Sequence, residues 1–84
     1  MHIVYILRSI KDSKRTYIGY TTNLEKRLYQ HNHKGSVYTK SYAPWQVETY
    51  VVFTDEVRAK HFERFLKSGS GAVFTKRRLI STGA

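Results

Sequence analysis

The chain has 84 residues, with 15 lysine and arginine residues against 6 aspartate and glutamate residues, and its formal net charge is +9 at pH 7. This length leaves room for one compact domain, residues 1–84, and excludes a two-domain enzyme. So large a positive charge is typical of a protein with a polyanionic partner, and nucleic acid is the first candidate. The chain contains no cysteine, which excludes disulfides, thiolate nucleophiles and cysteine-ligated metals. The longest apolar run, Ile3–Leu7, is too short to span a membrane or serve as a signal sequence, so we expect a cytoplasmic protein.

Two strands and a helix are predicted in the first part of the chain. The β-branched and aromatic runs Ile3–Leu7 and Thr16–Tyr20 flank a polar stretch and predict a β-hairpin. Thr22-Asn23-Leu24-Glu25 has the Thr-x-x-Glu spacing of a capping box, so we expect a helix to begin there and to continue to about Asn32. Leu24 and Leu28 would share the apolar stripe of this helix.

The second part of the chain predicts one strand and two helices. Residues 34–42 form a polar loop containing glycine, and Trp45–Phe53 alternates enough to be a strand that begins just after Pro44. Thr54-Asp55 predicts the start of a helix that stops at Gly69, and Ser70–Ile80 predicts a short final helix. The expected fold is therefore an α+β domain in the order β-β-α-β-α-α, with a three-stranded, mainly antiparallel sheet flanked by three helices.

Tyr5 and Tyr17 lie in the two strands of the predicted hairpin. A register that places them on one face would bring two phenolic hydroxyls close together, although packing alone would also explain a tyrosine in a strand. Gly19 follows Tyr17 by two residues on the same face. The absence of a side chain there would admit a ligand backbone, or else mark a β-bulge.

Arg27 and His31 are four residues apart on the first predicted helix and lie at the border of its apolar stripe. An arginine at the edge of a cleft can hold a phosphate, and a histidine can move a proton near neutral pH, although either would also be an ordinary surface residue. Glu63 lies near the buried side of the later helix, where a carboxylate needs a partner. An ion pair with a nearby arginine and a divalent cation are both open as that partner.

Val4-Tyr5, the triplet Tyr17-Ile18-Gly19, then Arg27, His31 and Glu63 form one ordered set. This set resembles the GIY-YIG endonuclease superfamily, and the likeness extends over nearly the whole chain to the small, stand-alone, single-domain branch of that superfamily. The resemblance implies a three-stranded antiparallel sheet flanked by helices, and hydrolysis of a phosphodiester bond assisted by Mg²⁺ or Mn²⁺.

The resemblance also implies roles for individual residues. Tyr5 matches the tyrosine proposed as general base for the attacking water, Arg27 matches the arginine that stabilises charge on the phosphate, and Glu63 matches the metal-binding glutamate. His31 matches a histidine of many members, and Tyr17 with Gly19 matches the second signature. The asparagine that many members carry near the end of the domain has no counterpart after Asn32. The basic residues that we expect to contact nucleic acid are Arg8, Lys26, Lys34, Lys40 and Lys67.

These observations predict a metal-dependent DNA endonuclease, for which a phenol with an ordinary pKa near 10 would need a nearby cation to act as a base. Branched and damaged DNA are both candidate substrates, and a protein partner is compatible with either. The alternative is a nucleic-acid-binding module with weak or partner-dependent cleavage. An adaptor for an acidic protein would explain the charge but not the five site residues.

Overall fold

The computed structural model describes residues 1–80 and contains one three-stranded antiparallel sheet. Strand β1 (His2–Ser9) lies in the centre, between β2 (Thr16–Thr21) and β3 (Trp45–Phe53). The β1–β2 ladder runs without interruption from Ile3 opposite Thr21 to Arg8 opposite Thr16, which confirms the predicted hairpin. The β1–β3 ladder shifts register between Ile6 and Leu7.

Within residues 1–80, four helices and one π-helical turn accompany the sheet. The helices are α1 (Leu24–His33), α2 (Val37–Ser41), α3 (Glu56–Leu66) and α4 (Gly69–Phe74), and the π-helical turn covers Thr75–Leu79. The α+β class, the antiparallel sheet and the order of the main elements are as predicted from the sequence.

The sheet has a hydrophobic cluster on each face because successive side chains of a strand point to opposite sides. On one face, called here the α3 face, Val4 and Ile6 pack with residues of α3. On the other, the α1 face, Tyr5 and Leu7 pack with Trp45 and with the leucines of α1. Both faces of β1 are therefore buried, which explains why residues 3–7 are continuously apolar.

Helix α1 begins one residue later than the predicted capping box requires. Its N-cap is Asn23, whose side-chain oxygen accepts a hydrogen bond from the Lys26 backbone N–H. Thr22 is outside the helix, so the Thr-x-x-Glu reading was wrong by one position. Asparagine and threonine both cap helices, and asparagine is at least as good. The predicted cap of α3 is confirmed, since the Asp55 side chain accepts from the Val57 backbone N–H.

Two predictions about loops and helix ends were wrong. The segment 34–42 contains the short helix α2, whose N-terminus is capped by the Ser36 side chain. Gly69 does not simply end α3: it begins α4, capped by Ser68, so the final helix is split into α4 and the π-helical turn. Gly71 allows this tight turn because a Cβ there would collide with the Phe65 carbonyl group. No helix within residues 1–80 is long and apolar enough to cross a membrane.

Candidate active site

The hairpin register places the two predicted tyrosines side by side on the α1 face. Tyr5 lies opposite Gly19 and Leu7 lies opposite Tyr17, so the odd-numbered residues of both strands share this face. The ring centroids of Tyr5 and Tyr17 are 6.4 Å apart. Tyr5 is fully buried, with 1% of its surface exposed, whereas Tyr17 is only partly buried.

The space beside Gly19 is occupied by Tyr5. A Cβ atom at position 19 would collide with the Tyr5 hydroxyl and with its ring carbon Cζ. The ladder around Gly19 is regular, so the glycine does not mark a bulge. The expected approach route for a ligand backbone is therefore filled by the tyrosine ring, and the lack of a side chain at Gly19 is what lets the Tyr5 hydroxyl reach the edge strand.

Helix α1 brings Arg27 and His31 to the same hydroxyl. His31 Nε2 lies 2.9 Å from the Tyr5 oxygen, and Arg27 Nε donates to that oxygen at 3.4 Å. The His31 ring also contacts Tyr17, at 4.7 Å between centroids, and only 5% of His31 is exposed. Their spacing of four residues along α1 places the guanidinium and the imidazole on one side of the helix.

Burial controls the protonation of this cluster. It raises the pKa of Tyr5, and this effect outweighs the hydrogen bond and positive charge of Arg27, which act in the opposite direction. Burial, followed by the charge of Arg27, lowers the pKa of His31. Both side chains are therefore neutral at pH 7 in the absence of substrate. A tyrosine that acts as an ionised base needs a lowered pKa, and the Arg27 guanidinium alone does not lower the pKa of Tyr5 below its ordinary value.

The groups around Tyr5 favour one direction for the Tyr5–His31 hydrogen bond, in which the donor depends on the His31 tautomer. Arg27 can only donate, so the Tyr5 oxygen accepts from it, and the Tyr5 hydrogen then has the His31 Nε2 lone pair as its acceptor. In the other tautomer, the Tyr5 hydrogen would lose that acceptor. In either tautomer His31 Nδ1 is buried without a hydrogen-bond partner among residues 1–80.

Two open hollows meet at Arg27 and at Gln30, whose amide oxygen accepts from Arg27 Nη1 at 3.2 Å. The larger hollow, about 580 Å³, lies at the start of α1 and includes Lys26. The smaller, about 260 Å³, includes Tyr17, His31 and Lys34. Neither is lined by an acidic residue. Gln30 was not among the predicted site residues, although its spacing of three from Arg27 on a helix indicates the contact.

Glu63 approaches from the opposite face of the sheet. It lies on α3 in a third hollow of about 340 Å³ that also includes Lys60 and Lys67. Its carboxylate pairs with Lys67 Nζ at 3.1 Å, not with an arginine, and its side chain is 22% exposed. Lys60 lies over the ring of Tyr20, which itself lines the hollow of Arg27. The structure thus brings Tyr5, Tyr17, Arg27 and His31 together, with Glu63 beyond strand β2.

The acidic residues near the candidate site suit a divalent cation that is held by one carboxylate and by water. Within residues 1–80 no group of three or more histidine, cysteine, aspartate or glutamate side chains could form a complete protein cage for a metal. A single accessible carboxylate, such as that of Glu63, suits Mg²⁺, which retains several waters and is often completed by substrate phosphate. The donor set therefore fits a hydrated Mg²⁺ or Mn²⁺ and does not fit a structural zinc site.

The predicted nucleic-acid contacts divide into three groups. Lys26 and Lys34 line the two hollows that meet at Arg27. Arg8 and Lys67 are instead engaged within the protein, with carboxylate oxygens of Glu48 and Glu63 respectively, each at 3.1 Å. Lys40, the remaining predicted contact, lies in α2 and is exposed.

Paired tyrosines, an arginine and a histidine at the edge of a basic cleft supply groups that can hold a phosphate and move a proton beside it. A family model described as "GIY-YIG catalytic domain" matches residues 1–78. The chain belongs to the GIY-YIG family, as its motifs predict.

Two kinds of relative match this chain. The "Structure-specific endonuclease subunit SLX1 homolog" of Cryptosporidium parvum is 43% identical over 67 residues, which cover 75% of this chain and 16% of the relative. The corresponding SLX1 subunit of Malassezia globosa is 36% identical over 67 residues, or 75% of this chain and 15% of the relative. A "UPF0213 protein" of Oceanobacillus iheyensis is 41% identical over 75 residues, which cover 79% of this chain and 84% of the relative. The chain thus matches only a small part of the SLX1 subunits but most of the UPF0213 protein.

Proposed function

We propose that this chain, as a single GIY-YIG domain, is a metal-dependent endonuclease that hydrolyses phosphodiester bonds in DNA. The observation that carries the proposal is the convergence of His31 and Arg27 on the hydroxyl of Tyr5, at the meeting point of two basic hollows. Membership of a family of catalytic domains supports the same reaction class, as does the similarity to SLX1 subunits, which are named as structure-specific endonuclease subunits.

Tyr5 and His31 form the proton path of this proposal. As Tyr5 accepts a proton from the attacking water, it passes its own hydrogen to His31 Nε2, 2.9 Å away. A neutral His31 is required as the acceptor, and burial supports this by lowering its pKa. The phenol therefore need not be ionised beforehand, which removes the difficulty created by the raised pKa of Tyr5.

Arg27 has two functions in this proposal. Its Nε covers the Tyr5 hydroxyl in the absence of DNA. A phosphate in the adjoining hollow would draw the guanidinium outward, which would uncover the hydroxyl and place a permanent positive charge beside the reacting phosphate. Such a preorganised charge stabilises the transition state more than the ground state.

Glu63 would hold the divalent cation, with Lys67 released from its ion pair. When bound, the cation would polarise the phosphate and neutralise charge that develops on it. Lys60, in the same hollow, would contact the DNA backbone on this side of β2 once released from its ion pair with Glu56.

One observation favours the alternative function, a nucleic-acid-binding module with weak or partner-dependent cleavage. Tyr5 is 1% exposed, so no water reaches its hydroxyl unless Arg27 moves. If DNA alone does not move Arg27, the basic hollows would bind DNA without cutting it.

The test is a cleavage panel of duplex, flapped, branched, damaged and single-stranded DNA, and of RNA, with Mg²⁺ or Mn²⁺ and with EDTA. We expect metal-dependent cleavage of at least one DNA. Tyr5→Phe, His31→Gln and Arg27→Ala should each lower the rate, Arg27→Ala by about 10²–10³-fold, as for loss of one donor to a developing oxyanion. Tyr50→Phe, at an exposed tyrosine of β3, is the matched control and should cleave normally.

Glu63→Gln should abolish cleavage while DNA binding in EDTA remains. Glu56→Gln is a close control, because Glu56 lies on the same helix and also pairs with the lysine four residues later at 3.1 Å. Equal rates for Glu63→Gln and wild type would remove Glu63 from the mechanism. DNA binding without cleavage of any substrate, with either metal, would establish the binding module instead.

A further inference from the structure

The edge strand β2 is bordered by a fourth hollow that the proposed mechanism does not use. It has a volume of about 200 Å³ and a mainly apolar lining that includes Ile18, Leu66, Ala72 and Ile80, and Lys14 from the β1–β2 turn and Lys76 from the π-helical turn also line it. Within residues 1–80, no acidic side chain lines it. Lys14 and Lys76 are far apart in the sequence, so only folding brings their two positive charges to one hollow.

Two exposed lysines at one hollow raise the local positive potential. Water and salt screen their mutual repulsion, so the pair is tolerated without a counter-charge and attracts an anion. Within residues 1–80, neither Lys14 nor Lys76 has an acidic partner at salt-bridge distance, in contrast to Lys60 and Lys67. Both are exposed, and Lys76 is followed by the exposed residues Arg77 and Arg78. Such a surface is complementary to a polyanion.

Three hollows border β2, two at Arg27 and one at Lys14 and Lys76. Tyr20 and Thr21 line the hollow with Lys26 and Arg27. The hollow with Arg27 and Lys34 includes Tyr17 of the α1 face, whereas the hollow with Lys14 and Lys76 includes Thr16 and Ile18, whose side chains point to the α3 face. The six residues of β2 span about 17 Å, at about 3.3–3.4 Å per residue. This length corresponds to about five phosphates of one DNA strand, at about 3.4 Å of helix rise each.

We infer that DNA bound at the candidate active site continues along the outer edge of β2, and that Lys14 and Lys76 contact its backbone several nucleotides from the site of cleavage. The inference rests on the proposed function for the identity of the polyanion. It adds a backbone contact surface made by the β1–β2 turn and the π-helical turn, neither of which carries a signature residue. The contacts are electrostatic and carry no sequence preference.

The experiment measures the affinity of the full chain for a fluorescent DNA duplex in EDTA at several salt concentrations, for wild type, Lys14→Gln, Lys76→Gln and the double variant. Each lost phosphate contact reduces the slope of log K against log salt by about 0.9, which is roughly an eightfold weaker affinity at 0.1 M salt. We expect roughly that loss for each lysine and a larger loss for the double variant. Both side chains are exposed, so thermal unfolding of the variants should match wild type.

Arg58→Gln is the matched control. It removes one positive charge from α3, at a side chain that lies over Phe53 of β3 and pairs with Asp55. This variant should bind DNA within about twofold of wild type, because an already paired, distant charge contributes little to phosphate binding. Lys14→Gln and Lys76→Gln variants that also stay within twofold, with unchanged salt slopes, would overturn the inference.

Substrate length gives a second measurement. Extending a cleaved DNA by about five nucleotides on one side of the cleavage position should strengthen wild-type binding, and the double lysine variant should lose this gain while it cleaves the short substrate normally. An equal gain in both proteins would refute the path along β2 but leave the nuclease proposal intact. A wild-type chain that binds no DNA would refute both, and one that binds without cleaving would refute the nuclease proposal alone.

Discussion

Substitution of Gly19 by alanine tests how the site is built. The added Cβ would collide with the Tyr5 hydroxyl and Cζ, so the ring must move away from β2 and from its 2.9 Å contact with His31. Forcing extra volume into a packed site costs about 1–3 kcal/mol, and replacing a strand glycine recovers about 0.5–1 kcal/mol. Taking the middle of each range, we expect a net loss of about 1 kcal/mol, which lowers Tm by about 4–8 °C in a domain of this size.

The assay is thermal unfolding combined with the cleavage assay. Gly69→Ala is the matched control, since a Cβ at Gly69 meets no atom within 4 Å and α4 begins there. It should leave Tm unchanged or raise it slightly. Gly19→Ala should also reduce cleavage at least tenfold, because the displaced phenol no longer reaches His31, whereas Gly69→Ala should cleave normally.

A double-mutant cycle separates the collision from a general effect of alanine in the strand. In a Tyr5→Leu background the ring is absent, so Gly19→Ala should cost less than about 0.5 kcal/mol. The reasoning is refuted if Gly19→Ala unfolds at the wild-type temperature, or if it costs the same free energy in both backgrounds.

Three further predictions concern individual contacts. The pKa of His31 is lower in the folded protein than in the unfolded chain, so the unfolded chain binds more protons. The free energy of unfolding should therefore fall as the pH decreases below about 6.5. In denaturant unfolding between pH 5 and 7, His31→Gln should show a weaker dependence of this free energy on pH, and an equally steep dependence would contradict the prediction. Asn23→Ala should cost about 0.5–2 kcal/mol through loss of the α1 cap, and Thr22→Ala much less, whereas the reverse order in urea unfolding would restore the capping-box reading. Asn32 holds Trp45 through both backbone groups, at 2.6 and 3.3 Å, so Asn32→Ala should cost about 1–3 kcal/mol in the same measurement, and a loss below about 0.5 kcal/mol would contradict that role.

The placement of the paired tyrosines could be predicted from the sequence because it depends on local periodicity. A hairpin with side chains alternating between faces puts Tyr5, Tyr17 and Gly19 on one side once the register is known. Arg27 and His31 likewise share one side of α1 because they are four residues apart. These spacings also carry the family motif, which is why class, fold and candidate residues could be inferred together.

The environment of those residues could not be predicted in the same way. The Tyr5 pKa is raised because the packing of α1 against the sheet buries the phenol, and no spacing in the sequence gives the depth of a cavity. The sequence predicted Glu63 at the edge of the buried side of its helix. Its ion pair with Lys67 could not be predicted, because it depends on which positively charged side chain lies within reach in the folded protein.

Local periodicity, composition and ordered motifs were sufficient to predict the antiparallel sheet, the main helices, the strongly basic character and the family. Three contacts became known only from the folded chain: Tyr5 fills the space at Gly19, Arg27 covers the Tyr5 hydroxyl, and Lys14 and Lys76 line one hollow beside β2. Those contacts join residues from separate elements, and their distances are set by how the elements pack together and not by any pattern along the chain.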